Sequence, residues 1–239
     1  MIPRATRLPA FLFALGAVLA CTASGQTEQA PLNTLTAAER ADGWRLLFDG
    51  RSTAGWRGFR SADAPGGWQV VGGALTRTGP GGDIVTEEQF ADFELALEWR
   101  VEPGGNSGIF YRATEDAPRI YETAPEMQVL DDERHVDGQL AVTSAGANYG
   151  LHPAPPDVAL PAGEWNQARI VARGAHIEHW LNGVKMVEYE LWTPEWEALV
   201  RNSKFADWPQ YGRAARGHIG LQDHGDPVAF RNIKIRALP

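Results

Sequence analysis

Short segments in which apolar and polar residues alternate, separated by turn residues, constrain this chain more than any other feature. The clearest is Phe93–Val101 (FELALEWRV), whose odd-numbered residues are all apolar and whose even-numbered residues are mostly charged. A period of two is typical of a β-strand with one buried and one solvated face. Asn182-Gly183 is a hairpin signal between two further segments of this kind. About a dozen such segments predict an all-β fold, a jelly-roll β-sandwich of two antiparallel sheets.

Helix signals are few and short. Thr36-Ala37-Ala38-Glu39 fits a capping box and predicts a helix over residues 37–41. Thr193-Pro194 places proline at the first helical position and predicts a second helix, Glu195–Asn202. Because no linker interrupts the later chain, residues 36–239 are predicted to form a single domain.

The first 20 residues predict a lipoprotein signal peptide. Arg4 and Arg7 form a basic start, and Leu8–Leu19 is an apolar run too short to span a bilayer. The run ends at Cys21 in a pattern that resembles a bacterial lipobox. We therefore expect cleavage after residue 20, lipid attachment to Cys21 and a flexible tether over residues 21–35.

This signal also predicts the location. We expect an exported bacterial lipoprotein at the periplasmic face of the outer membrane or at the cell surface, attached to the membrane only through its lipid. Thr22, rather than an acidic residue, follows the cysteine and favours the outer membrane. The alternative is an ordinary secretory signal with an incidental cysteine. Since Cys21 is the only cysteine, no disulfide can form within the chain.

The composition of the chain limits the classes of partner that it can bind. The net charge of −8 argues against nucleic acid, which needs a basic binding surface. No later segment is long and apolar enough to cross a membrane. The nine tryptophans are explained either by core packing or by stacking on sugar rings.

The main candidate site lies in the stretch Asn106–His135. Within it, the run Glu126–Asp131 alternates, so that its apolar residues share one face and Glu126 and Gln128 share the other. A carboxylate and an amide two residues apart on a strand form a rigidly supported polar site. Arg112 is expected on the same kind of face in a nearby strand. The alternative is an ordinary solvated sheet face.

A second candidate cluster is His218–Gly225 (HIGLQDHG). By alternation Gln222 and His224 share a face, and His224 is the group whose ordinary pKa lies near neutrality. Asp223, beside it, is a candidate to orient the imidazole or to share a metal ion with it. The alternative is a turn that Asp223 caps.

The acidic segment that follows Glu126 offers further metal ligands. Asp131 and His135 are candidates to bind a divalent cation, and the alternative for His135 is a solvated loop residue.

Several catalytic signatures are absent. The chain has no G-x-S-x-G elbow, no H-E-x-x-H, no phosphate-binding glycine-rich loop and no dinucleotide fingerprint. We therefore expect no nucleotide cofactor and no covalent acyl chemistry. Acid–base work by carboxylate and imidazole groups remains.

Eight sequence blocks, in order, carry a resemblance to a known family. They are FDG at 48–50, GGW at 66–68, NSGIFYR at 106–112, PEMQVLDD at 125–132, GEWN at 163–166, HWLNG at 179–183, GLQDHG at 220–225 and FRNIKI at 230–235. Over about residues 42–238 the chain resembles the domain once called DUF1080, now described as 3-keto-disaccharide hydrolase or 3-keto-glucoside 1,2-lyase/hydratase-like.

The resemblance implies a concanavalin A-like jelly roll with one or two short helices. It implies action on glycosides whose C3 hydroxyl has been oxidised to a ketone, and one divalent cation in some members. A glycoside 3-dehydrogenase is then the expected upstream partner.

The implied reaction needs a base, an oxyanion stabiliser and an acid. A C3 ketone acidifies the C2 proton, the C2 carbanion expels the C1 glycosidic oxygen, and addition of water completes a net hydrolysis. We expect Glu126 or His224 to be the base, and Arg112 or a bound cation to stabilise the oxyanion. The predicted substrate contacts are Asn106, Gln128, Gln222, Glu98 and Trp208.

Two other function classes compete. A non-catalytic carbohydrate-binding module at the cell surface would carry stacking aromatics and amides without a pair of tuned acid–base groups. A structural or adhesion domain would leave His224 with an ordinary pKa.

Overall fold

The computed structural model describes residues 1–2, 31–63 and 66–239. Within these residues the chain forms thirteen β-strands and two short α-helices. The strands are β1 (Arg45–Leu46), β2 (Trp56–Gly58), β3 (Trp68–Val71), β4 (Ala74–Arg77), β5 (Ile84–Phe90), β6 (Phe93–Val101), β7 (Asn106–Ala113), β8 (Glu126–Leu130), β9 (Asn166–Arg173), β10 (His176–Leu181), β11 (Val184–Glu190), β12 (Gly217–Leu221) and β13 (Val228–Ala237). The helices are α1 (Ala37–Ala41) and α2 (Pro194–Arg201), and 3₁₀ turns cover Ile120–Glu122, Val136–Gln139 and Lys204–Asp207.

The strands form two antiparallel sheets. The larger sheet has eight strands in the order β11-β10-β9-β6-β13-β4-β3, with β1 also paired to β13. The smaller sheet has five strands in the order β2-β5-β12-β7-β8. This confirms the predicted all-β sandwich.

The core lies between the two sheets, as the alternation predicts. Leu95 and Trp99 of β6 are at most 1% exposed, and Ile109 of β7 and Met127 of β8 are fully buried in the same apolar cluster. Burial of each side chain of this kind stabilises the fold by about 1.5–3 kcal/mol.

Local signals at the helix ends act as expected. The Thr36 hydroxyl accepts the Glu39 N–H at 3.1 Å and the Glu39 carboxylate accepts the Thr36 N–H at 2.7 Å, which completes the capping box of α1. The Thr193 hydroxyl caps α2, which begins one residue earlier than predicted, at Pro194.

The described part of the N-terminal segment contacts the domain. Asn33 is 7% exposed; its N–H donates to Asn232 Oδ1 at 2.6 Å and its amide donates to the Gly73 carbonyl at 2.8 Å. The residues predicted as tether therefore include at least one that is fixed to the larger sheet. The predicted signal peptide and the lipid-bearing Cys21 lie in residues 3–30, outside the described residues. No described helix has both the length and the hydropathy to cross a membrane.

Candidate active site

The outer face of the smaller sheet, turned away from the core, carries the candidate residues; we call it the site face. Strand register builds it in rows, because paired residues of antiparallel strands project to the same side. Glu126 pairs with Phe110, and Gln128 pairs with Gly108. Gln222 follows β12, and its N–H donates to the Gly108 carbonyl at 3.0 Å. The site face thus brings together Glu126, Gln128 and Gln222, as predicted.

Glu126 is the most perturbed group on this face. It is 7% exposed, and burial raises the pKa of its carboxyl to about 8, although the positive charge of Lys204 opposes the rise. Gln128 is oriented so that its amide nitrogen donates to Glu126 Oε1 and to the Ser107 carbonyl, both at 3.1 Å. Glu126 therefore holds a proton at neutral pH, beside an amide that orients it.

Two glycines make room on the site face. A Cβ at Gly108 would fall 2.0 Å from Glu126 Oε1, so the carboxyl lies directly over this residue. A Cβ at Gly220 would fall 2.4 Å from Ile120 Cδ1. Neither glycine has a positive φ. Close approach, rather than backbone conformation, therefore requires them.

Lys204 and Tyr149 are site residues that the sequence reasoning missed. The Tyr149 N–H donates to the Glu126 carbonyl at 3.0 Å, and its hydroxyl donates to Asp137 Oδ2 at 3.1 Å. Lys204 Nζ lies 4.1 Å from the centre of the Tyr149 ring. Burial lowers the pKa of Lys204, and the charges of Glu126 and Asp137 oppose that change. A positive charge is thus held close to Glu126 by an aromatic ring.

Asn106 and two histidines occupy the far end of the site face. Asn106 Nδ2 lies 3.4 Å from His135 Nε2, and the rings of His135 and His224 are 6.0 Å apart. His224 Nδ1 lies 3.6 Å from Asp226 Oδ2. Asn106 Oδ1 and Gln222 Oε1 are buried without a hydrogen-bond partner among the described residues. Such acceptors are costly unless a ligand or water satisfies them, which makes this end a polar binding surface.

His224 and Glu126 are not neighbours. His224 belongs with Asn106, which stands four residues before Phe110, the partner of Glu126. The Glu126 carboxyl itself lies over Gly108, two residues from Asn106, which at ~3.3 Å per residue is roughly 7 Å along the strand. The two predicted catalytic groups are therefore separated along the site face.

Arg112 was expected on the site face, and this prediction is wrong. Its backbone has a positive φ of 52°, which breaks the alternation of β7. The buried guanidinium donates to the carbonyls of Ala91 at 3.0 Å and Gly174 at 2.8 Å, and it pairs with Asp92 at 3.1 Å. Arg112 therefore ties the β5–β6 connection, which joins the two sheets, to the β9–β10 turn of the larger sheet.

Two predicted metal ligands are occupied by protein donors. Asp223 Oδ1 accepts Arg77 Nε at 2.6 Å, and Oδ2 accepts the Gly82 N–H at 2.8 Å. Asp131, which is 4% exposed, accepts the N–H groups of Gly104 and Glu133. Both carboxylates hold the backbone in place.

His135 does not fit a metal either. Its Nδ1 accepts the Asp137 N–H at 3.1 Å, and its Nε2 lies 3.4 Å from Asn106 Nδ2, so protein N–H groups face both ring nitrogens. The three predicted ligands therefore form no cation site on this face.

A different His/Glu group has the geometry to hold a metal ion. It comprises His176, Glu178 and Glu188 on β10 and β11. Lys185 Nζ lies 2.9 Å from Glu178 and 2.8 Å from Glu188, so its ammonium offsets one of their two negative charges.

The predicted substrate contacts Glu98 and Trp208 lie in different parts of the molecule. Glu98 lies on the outer face of the larger sheet, where it binds Arg231 and Asn232 and lines a groove of about 770 Å³. It is therefore not one of the residues of the site face, and its role as a substrate contact stays a prediction. Trp208 packs against Tyr121 with ring centres 5.2 Å apart, and Tyr121 lines a cavity of about 480 Å³ beside the site face.

The site face of this jelly-roll β-sandwich holds a buried carboxyl among unpartnered amide oxygens, which gives it acid–base capacity. The chain belongs to the family described as 3-keto-alpha-glucoside-1,2-lyase-like domain, whose sequence profile matches residues 43–236. The predicted family is thereby confirmed.

A curated relative supports the same assignment. A Bacteroides thetaiotaomicron protein named 3-keto-disaccharide hydrolase is 36% identical over 252 residues, which cover 92% of this chain and 87% of that protein.

Solved structures share the architecture. A Parabacteroides distasonis protein, provisionally described as a glycosyl hydrolase, has a TM-score of 0.79 at 32% identity over 87% of this chain and all of that one. The carbohydrate-binding module CBM66 from Bacillus subtilis matches with a TM-score of 0.52 at 12% identity over 77% of this chain and 96% of its own, which shows the fold alone.

Proposed function

We propose that this protein hydrolyses the glycosidic bond of 3-keto-disaccharides or 3-keto-glucosides, by elimination across C1–C2 followed by hydration. Membership of the family supports hydrolase activity on such sugars. The observation that carries the mechanism is Glu126, a buried carboxyl that is protonated at neutral pH and faces a polar surface.

Glu126 is suited to the acid role. Elimination makes the C1 oxygen an alkoxide leaving group, and a carboxyl with a pKa near 8 can protonate it at neutral pH. Glu126 was one of the two residues expected to act as the base. Because its carboxyl is protonated at neutral pH, it is less suited to that role than to the acid role. His224 is exposed and lies beside His135 and Asn106, roughly 7 Å along the strand from the Glu126 carboxyl. It is better placed to contact the second sugar unit.

The enediolate oxygen needs positive charge or N–H donors. Lys204 fills the role predicted for Arg112, because its ammonium is held near Glu126 by the Tyr149 ring. The unpartnered oxygens of Asn106 and Gln222 are available to accept sugar hydroxyls. Gln128 keeps the Glu126 carboxyl in position.

The first experiment compares a 3-keto-glucoside with its unoxidised parent. Wild type is expected to cleave only the keto sugar, because elimination needs the acidic C2 proton. Glu126→Gln should lower kcat by about 10²–10⁴, the usual range for loss of a general acid. His224→Ala should mainly raise KM for a disaccharide. Saturable sugar binding without turnover of either substrate would leave the binding-module alternative.

We also propose that the mature protein is an exported lipoprotein anchored through Cys21. The support is the sequence alone: a basic start, the apolar run Leu8–Leu19 and a lipobox-like end. Mass spectrometry of the N-terminal peptide is expected to show diacylglycerol on Cys21. A free, unmodified N-terminus at another residue would contradict this.

A further inference from the structure

We propose that Asp83 is the base that removes the C2 proton, acting with Glu126 as the acid. This assignment rests on the proposed function and names a catalytic residue that the reaction requires. The supporting observations are the position of Asp83 in the sheet, its hydrogen bonds, its cavity and its electrostatic environment.

Register places Asp83 on the site face. It directly precedes β5, whose first residue, Ile84, pairs with Leu221. Asp83 is therefore level with Gln222, whose N–H binds the Gly108 carbonyl. The Glu126 carboxyl lies over Gly108, two strands away from Asp83. Two strand spacings of ~4.8 Å separate the carboxyls by roughly 10 Å, about the width of one sugar ring with its hydroxyls.

One oxygen of Asp83 is free to react. Oδ1 accepts the Asp223 N–H at 2.9 Å, which fixes the carboxylate. Oδ2 has no hydrogen-bond partner among the described residues. The side chain lines the cavity of about 480 Å³, together with Tyr121 and Arg119. A positioned carboxylate with one open oxygen at a cavity wall has the geometry of a general base.

Asp223, the neighbouring carboxylate, has no such freedom. Arg77 binds its Oδ1, and the N–H groups of Gly81 and Gly82 bind its Oδ2. Burial would raise the pKa of Asp223, but these hydrogen bonds outweigh burial and lower it. Asp223 thus stays charged and holds Asp83 through its backbone N–H.

The environments of Asp83 and Glu126 give their two carboxyl groups different protonation states. Burial, with a smaller contribution from the charge of Asp223, raises the pKa of Asp83 to about 6. Burial raises the pKa of Glu126 to about 8. At neutral pH one carboxyl is ionised and the other protonated, the pattern of an acid–base pair. The charged groups that face Asp83 are Asp63, Arg77, Arg119, Glu126 and Asp223.

The resulting steps balance. The Asp83 carboxylate takes the C2 proton, and the C–H electrons form the C2=C3 enediolate. Its collapse restores the C3 ketone, forms the C1=C2 bond and breaks the C1–O bond as Glu126 protonates the leaving alcohol. Water then adds to C1 and gives a proton to Glu126, while Asp83 returns its proton to C2. Both carboxyls are reset, and the net reaction is hydrolysis.

The test separates proton removal from cleavage. The methyl 3-keto-glucoside is incubated in D₂O, and NMR follows loss of the C2–H signal and release of methanol. Asp83→Asn is expected to slow both by about 100-fold or more. Glu126→Gln should slow methanol release but still exchange C2–H. Asp157→Asn, a change at an exposed aspartate, is the control and should match wild type.

A pH profile supplies a readout that a structural role of Asp83 would not move. For wild type, kcat/KM should rise with pH through about 6, as Asp83 ionises, and fall through about 8, as Glu126 loses its proton. The acidic limb should vanish in Asp83→Asn. Exchange of C2–H at the wild-type rate in Asp83→Asn would overturn the assignment while leaving hydrolysis intact. If wild type neither exchanges nor cleaves, the proposed function fails with it.

Discussion

The outer faces of both sheets carry charged and amide side chains. These side chains are paired with one another on the larger sheet, whereas several on the smaller sheet have no partner among the described residues. On the larger sheet, Glu94 binds Arg169 at 2.7 Å and Arg236 at 2.5 Å, and Glu98 binds Arg231 at 2.7 Å. We call this the paired face.

On the smaller sheet the polar groups are left incomplete. Glu126 is buried without a salt bridge among the described residues, and Asn106 Oδ1 and Gln222 Oε1 have no partner. Buried polar groups are normally satisfied, since an unmade hydrogen bond costs about 1–3 kcal/mol. The paired face therefore contributes stability, whereas the site face keeps buried polar groups without protein partners. The groove of about 770 Å³ lies on the paired face.

The largest effect is expected from Glu126→Gln, which should separate activity from stability. Activity falls by about 10²–10⁴. The pKa of Glu126 is about 8 in the fold and near 4.5 when unfolded, so wild type loses stability as pH rises between these values. Gln removes this penalty, by an amount on the order of a few kcal/mol. Urea unfolding at pH 4 and pH 9 should show a gain for the variant only at pH 9.

Gly108→Ala should damage the site with a smaller effect. The new Cβ would meet Glu126 Oε1 at 2.0 Å and displace the carboxyl. A shift of about 1 Å in a catalytic group can cost up to 10²-fold, so kcat/KM should fall by about 10- to 100-fold. Gly79→Ala is the matched control, because a Cβ there meets nothing within 4 Å. Equal activity of the two variants would mean that Glu126 is not the acid.

Glu94→Gln should affect the paired face alone. Burial would raise the pKa of Glu94, but hydrogen bonds from Arg169 and Arg236 lower it overall. Its stabilisation is therefore present above the unfolded pKa and lost as pH falls through the folded one. Since both arginines are partly exposed, we expect a loss of about 1–3 kcal/mol at pH 7 and almost none at pH 2. Denaturant titrations measure it, and kcat should not change.

Lys234→Gln is expected to have the smallest effect. The change breaks the ion pair between Lys234 and Glu39. Their side chains are 25% and 24% exposed, respectively. Ion pairs that are partly exposed contribute about 0–1 kcal/mol to the free energy of unfolding. The melting temperature should therefore shift slightly, and activity should remain. A large loss of activity would place function on the paired face and contradict the distinction between the two faces.

Local signals predicted most of the fold. The strand β6 and the helix α1 have the bounds that alternation and the capping box indicate, and Asn182-Gly183 joins β10 to β11 as its hairpin signal predicts. β2, with only three residues, was missed because no period can be read over so short a run. The alternation of Glu126 and Gln128 against Met127 likewise assigned the correct faces.

The site was only partly predictable, because its members come from segments far apart in sequence. Asp83, Tyr149 and Lys204 have no local pattern that marks them, and only the packing of the sheet and its loops brings them to Glu126. Arg112 was misplaced because one residue with positive φ ends the alternation of β7. A carboxylate in a turn, such as Asp223, looks the same in sequence whether it binds a metal or an arginine.

The sequence by itself determined the class of fold, the family and the face of β8 that carries polar groups, since these depend on period, turn chemistry and recognisable blocks. Only the tertiary structure decided which charges are paired and which are left buried and protonated. Pairing and burial depend on distances between residues such as Glu94 and Arg236, 142 positions apart. Those distances exist only once the two sheets have formed.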